Sequence, residues 1–153
     1  SSDVCSSDLC VKNSIDKSIK AKITLTPILK NRELAIMTKY EFSEYLKANK
    51  ETISKGIKTK GDGFEEESKG LDYKSIGKDK EALVMFYIAI GKGFEAPALY
   101  RETAVLLRKY GLLEEELSVL NAGIKNVPNG NRHRTELVER KKKVQELINK
   151  QGK

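Results

Sequence analysis

Residues 63–96 read GFEEESKGLDYKSIGKDKEALVMFYIAIGKGFEA, and residues 97–130 read PALYRETAVLLRKYGLLEEELSVLNAGIKNVPNG. Laid over one another at an offset of 34 residues, the two stretches pair Gly77 with Gly111, Glu81 with Glu115, Leu83 with Leu117 and Met85 with Val119. The same offset pairs Phe86 with Leu120, Ala89 with Gly123 and Ile90 with Ile124. Matches at one fixed spacing mark a repeat array, in which each unit leaves an apolar face for its neighbour to cover.

The apolar spacing predicts four helices here, Phe64 to Ile76, Lys80 to Gly91, Pro97 to Tyr110 and Leu113 to Asn126, paired as two hairpins. Glycine stands where helices end because the following residue often needs a left-handed backbone. Pro97 suits a first helical position, where its missing N–H costs nothing. After Val127-Pro128-Asn129-Gly130 a last helix is expected over about Arg132 to Asn149. Its apolar side is Leu137, Val138, Val144, Leu147 and Ile148, and its outer side carries Arg140, Lys141, Lys142 and Lys143. One apolar stripe and one charged face suit the solvating cap of an array.

The repeat resembles the tetratricopeptide pattern W-x2-L-G-x2-Y, A-x3-F, P. Gly70, Tyr73, Ala82 and Phe86 match it in the first copy, where Glu66, Lys69 and Phe94 depart. In the second copy Pro128 matches, Tyr100, Ala104, Leu107 and Leu120 are conservative replacements, and Thr103 and Glu116 depart. A carboxylate at Glu116, where a small residue is expected, implies a looser second hairpin or a basic partner. The resemblance implies an all-α, short helical-hairpin solenoid with a C-terminal capping helix, whose first helices line a concave groove for a peptide or helix. The groove stripes it implies are Glu67, Leu71 and Lys74, then Arg101, Val105 and Arg108, then Thr135, Glu139 and Lys142. Leu71, Lys74, Arg101, Val105, Arg108 and Lys142 are the candidate partner-binding residues, cations around two apolar anchors that suit an acidic segment.

Outside residues 63–149 the sequence is less definite. Residues 1–9, SSDVCSSDL, resemble the translation of a sequencing adapter and are set aside as artefact or disordered tail. With Cys5 set aside only Cys10 remains, so a disulfide framework is excluded and a reducing, cytoplasmic setting is expected. Residues 10–62 form a basic N-terminal segment and linker. Within it Lys22 to Leu25 alternates as a short strand and could pair with Leu34 to Met37 as a hairpin, or a helix could start near Asn31 and run through Met37. Thr38-Lys39-Tyr40-Glu41 is a capping box before a helix from about Lys39 to Asn49, placed to cover the far end of the array. The Lys- and Gly-rich run Lys50 to Gly63 reads as a mobile basic linker. Gly56 and Gly61 stand as in a phosphate-binding loop, but Asp62-Gly63 replaces its Lys-Ser/Thr, which excludes a nucleotide site. Residues 150–153 are a short tail.

Charge is unevenly spread: net +7 over residues 10–60, −3 over 61–130 and +5 over 131–153. Basic flanks can meet nucleic acid, an anionic surface or an acidic protein. The longest apolar run, Ala82 to Ile90, is about half of the ~20 residues a membrane span needs, so no membrane partner is expected. No catalytic, cofactor or metal site is expected either: His133 and Cys10 have no partner at a nucleophile–base or metal-ligand spacing. Glu65-Glu66-Glu67 and Glu114-Glu115-Glu116 fall in first helical turns, where acids complement the helix dipole. The chain therefore reads as a non-enzymatic protein–protein interaction scaffold. The alternative is a nucleic-acid-binding protein that contacts phosphates through residues 10–60 and 140–143.

Overall fold

The structure, a computed structural model, describes residues 31–56 and 61–151. They form seven helices: α1 (Asn31–Ile36), α2 (Lys39–Gly56), α3 (Phe64–Ser75), α4 (Asp79–Gly91), α5 (Pro97–Lys109), α6 (Leu113–Asn126) and α7 (Arg134–Gln151). The fold is all-α, and α3–α4 and α5–α6 are antiparallel hairpins, with α7 packed on α6 and α5.

The repeat extends to individual backbone hydrogen bonds. At the end of α3 the Lys78 N–H donates to the Tyr73 carbonyl across Gly77 (φ 81°). At the end of α5, 34 residues on, the Leu112 N–H donates to the Leu107 carbonyl across Gly111 (φ 73°). Lys78 and Leu112 then start α4 and α6 from the same backbone angles, φ −90° and ψ 69°. Each of these six-residue loops closes on a left-handed position, which glycine enters without a Cβ clash. The connections after α4 and α6 differ: Gly93 (φ 75°) turns the first, whereas Val127 leaves α6 in an extended conformation towards Pro128.

Small residues sit where helices meet. A Cβ on Gly70 would stand 2.5 Å from the Phe86 ring, and one on Gly123 would stand 2.7 Å from the Tyr100 ring. Phe86, Ala89, Tyr100, Ala104, Leu107 and Leu120 are fully buried in one cluster that also takes in Leu137 and Val144 of α7. The Tyr100 hydroxyl donates to the Phe94 carbonyl (2.5 Å) and accepts from Asn126 Nδ2 (3.0 Å), so its burial leaves no polar orphan. Arg134 donates twice to the Ile124 carbonyl and so satisfies an end group of α6.

The N-terminal region corrects several expectations. Leu34 to Met37 is not a strand: α1 occupies Asn31–Ile36, as the helical alternative has it, while Lys22 to Leu25 lies outside the described residues. The capping box forms, the Glu41 N–H donating to Thr38 Oγ1 and the Thr38 N–H to Glu41 Oε1, both at 3.1 Å, a pairing worth ~1 kcal/mol. The helix it starts runs seven residues beyond Asn49, to Gly56, so Lys50 to Gly56 is helical rather than linker. The reason is apolar spacing: Phe42, Tyr45, Leu46 and Ile53 are all fully buried, and Asn49 between them donates to the Tyr45 carbonyl. Helix α2 does not cap an end. It lies over the seam of α4 and α6, with Phe42 5.4 Å from the Tyr110 ring and Lys50 3.4 Å from Glu115.

Candidate partner-binding groove

The first helices of the successive hairpins, α3 and α5, stand in a row with α7, and ion pairs tie the row together. Lys74 of α3 pairs with Glu102 of α5. Arg101, one residue earlier on α5, lies 3.6 Å from Glu102 and donates through Nη1 to Glu136 of α7 (3.2 Å). His133 Nδ1 closes the chain 3.1 Å from the other Glu136 oxygen. Hydrogen bonds from His133 and Arg101 hold the Glu136 carboxyl below the usual carboxylate range. Charges along this line alternate, cation and anion, across three helices.

The predicted stripe residues fall on this face with different surroundings. Leu71, one turn before Lys74, is exposed. Val105, one turn after Arg101 and Glu102, is half-buried. Lys74 and Arg101 are not bare cations: each already faces a carboxylate from within the chain. Lys142 is exposed, and the charged α7 side chains that pair with α5 and α6 are Glu136 and Arg140. Their partners Glu102 and Glu136 are what the sequence reading missed, since nothing in a sequence marks which acid on a neighbouring helix will face a given cation.

Glu116 resolves differently from both readings of it. Its side chain is fully buried, and Arg108 holds it by two hydrogen bonds, Nε to Oε1 and Nη2 to Oε2, both 3.0 Å. Arg140 donates from Nε to the same Oε2 at 3.1 Å. The basic partner of Glu116 is thus this chain's own pair of arginines, and the hairpin is locked rather than loose. Charge-assisted, two-pronged bonding of this kind fixes geometry as well as charge. Glu66, another departure from the repeat pattern, pairs with Lys92, the residue that follows α4.

Glu67 shows the opposite situation. It is buried, its Oε2 has no hydrogen-bond partner, and desolvation raises its pKa above 4.5. A carboxyl whose folded pKa is raised costs stability above that pKa, and the cost vanishes as the pH falls through it to the unfolded value near 4.5. Glu67→Gln should therefore stabilise the protein at pH 7, and the advantage over wild type should shrink on acidification through that window. Urea melts of the two proteins at pH 7, 5.5 and 4.5 measure this; a pH-independent difference would show that desolvation of the carboxylate is not its cause.

Among the described residues no cluster of His, Cys, Asp and Glu is placed to hold a metal ion, and no helix is long and apolar enough to cross a membrane. Comparison with family models, with curated proteins and with solved structures returns no match, so any functional reading rests on these residues and their geometry.

Proposed function

We propose that the chain is a tetratricopeptide-type protein–protein interaction module that holds a peptide or helix of a partner along α3, α5 and α7. The observation that carries this reading is the row of helices joined by Lys74, Glu102, Arg101 and Glu136, with Leu71 and Val105 left open as apolar anchors beside it. Fixed ion pairs make such a face rigid, and a rigid face with apolar anchors binds a segment without first paying to order itself. Protein is favoured over nucleic acid because the outer face of α7 is mixed: Glu139 and Glu146 are exposed among Lys142, Lys143 and Lys150. That arrangement offers phosphates no unbroken cationic stripe.

The test is selection of binding peptides from a displayed library, followed by Leu71→Asp with Val105→Asp. Leu71 is exposed and Val105 half-buried, and a urea melt of the double variant checks that it folds before binding is compared. Selected peptides should lose at least about tenfold in affinity by titration calorimetry. Peptides that bind the double variant as tightly as wild type would place their site elsewhere.

A further inference from the structure

We infer that Arg108 and Arg140, clamped on Glu116, form a preformed receptor for one carboxylate of an acidic partner segment. The inference rests on the groove reading and names the chemistry at its α5–α7 end.

Charge counting singles out this place. Along the row of helices Lys74 and Arg101 alternate with Glu102 and Glu136, so that stretch is neutral within itself. Arg108 and Arg140 share a single acid, Glu116, and the three side chains together carry a net charge of +1. Both arginines are also open to solvent, with side chains 30% and 25% exposed, while the carboxylate beneath them is 0% exposed. A ligand arriving from the groove therefore meets the guanidinium groups and not the acid.

Geometry supplies the donors. Arg108 spends Nε and Nη2 on Glu116, and Arg140 spends only Nε. A guanidinium has five N–H donors, so Arg108 keeps Nη1 and Arg140 keeps both terminal nitrogens for another acceptor. Arg108 Nη2 and Arg140 Nε lie 3.0 and 3.1 Å from the same Glu116 oxygen, which fixes the two cationic groups side by side. Glu116 thereby does the work of ordering that a ligand would otherwise have to do. The excess of one positive charge matches a carboxylate, whereas a phosphate dianion would leave the site negative. The half-buried Val105 lies one turn from Arg108 on α5, an apolar rest for the aliphatic stem of a glutamate.

The experiment uses the full chain and a capped tetraglutamate peptide, followed by chemical shifts of the arginine Nε–H groups at ~100 mM salt. Saturable shifts at Arg108 and Arg140 are expected. Arg140→Gln, which leaves Arg108 holding Glu116, should weaken the peptide about tenfold, the size of one charge-assisted contact. Lys150→Gln removes an equal charge from the exposed side of α7 and should leave the affinity unchanged. The wild-type titration stands whether or not Arg140→Gln folds well. Absence of saturation, equal weakening by the two variants, or tighter binding of inorganic phosphate than of the peptide each overturns the inference. If tetraglutamate fails while library peptides remain sensitive to Leu71→Asp with Val105→Asp, this receptor falls and the groove stands. If tetraglutamate binds and no library peptide depends on those two positions, the receptor stands and the groove falls.

Discussion

Arg108→Ala should lower the unfolding free energy by about 3 kcal/mol, the low end of the cost of breaking a buried ion pair from one side. The variant leaves Glu116 fully buried with one hydrogen bond from Arg140 in place of three from two arginines. The end of the range is set by Arg140, which still faces the acid, and by the partial exposure of Arg108, which lets water in once the guanidinium is gone. Arg140→Ala removes one bond and leaves the two-pronged one, so it should cost about half as much. Arg108→Met and Arg140→Met with Glu116→Leu remove all three charges and should recover most of the stability, because a well-packed apolar cluster often matches a buried ionic one. Urea midpoints of these variants, at constant slope, measure the ranking. An Arg108→Ala midpoint equal to that of wild type would mean that Glu116 is not held as described.

How much of this was legible in the sequence depends on the range over which the cause acts. The α3–α4 and α5–α6 turns were readable because glycine conformation and the 34-residue echo are local, and Gly77 and Gly111 sit at matching left-handed positions. The capping box at Thr38 and Glu41 was readable for the same reason. The C-terminal half of α2 was obscured by composition: its lysines and the glycines from Gly56 onward suggested a linker, while Ile53, continuing the stripe from Phe42 through Leu46, fixed it against the core. Glu116 stood out as an anomaly in the repeat, yet its partners lie 8 residues before it and 24 after it on two other helices. Only the packing of those helices brings the three side chains together. The same limit explains why Lys74 and Arg101 read as open cations when each has an acid opposite.

Gly91→Ala should be as damaging as the loss of Arg108, at about 3 kcal/mol, the upper end of what overpacking costs. A Cβ there would fall 1.8 Å from the Ser54 carbonyl oxygen, 2.5 Å from its carbon and 2.8 Å from its Cα. These are backbone atoms of α2, and unlike the Phe86 ring that faces Gly70 they cannot turn aside by a change of rotamer. Relief requires α2 to move off α4 by about 1.5 Å at this end, which pulls on two contacts that hold it in place. One is Ile53, fully buried beside Ser54; the other is the Lys50–Glu115 pair, which ties the same stretch to α6. Because α2 packs chiefly on α4, the damage should stay local: amide exchange should speed up through α2 and the C-terminal turn of α4, while α5, α6 and α7 keep their protection. Gly77→Ala is the contrast, since nothing lies within 4 Å of a Cβ there and only the left-handed backbone resists the change, at about 1 kcal/mol. If the two variants are equally stable, the close approach of α2 to Gly91 is not what seats this helix on the array. If Gly91→Ala is the weaker and loses exchange protection across all seven helices at once, α2 is not an addition to the repeats but part of the unit that folds with them.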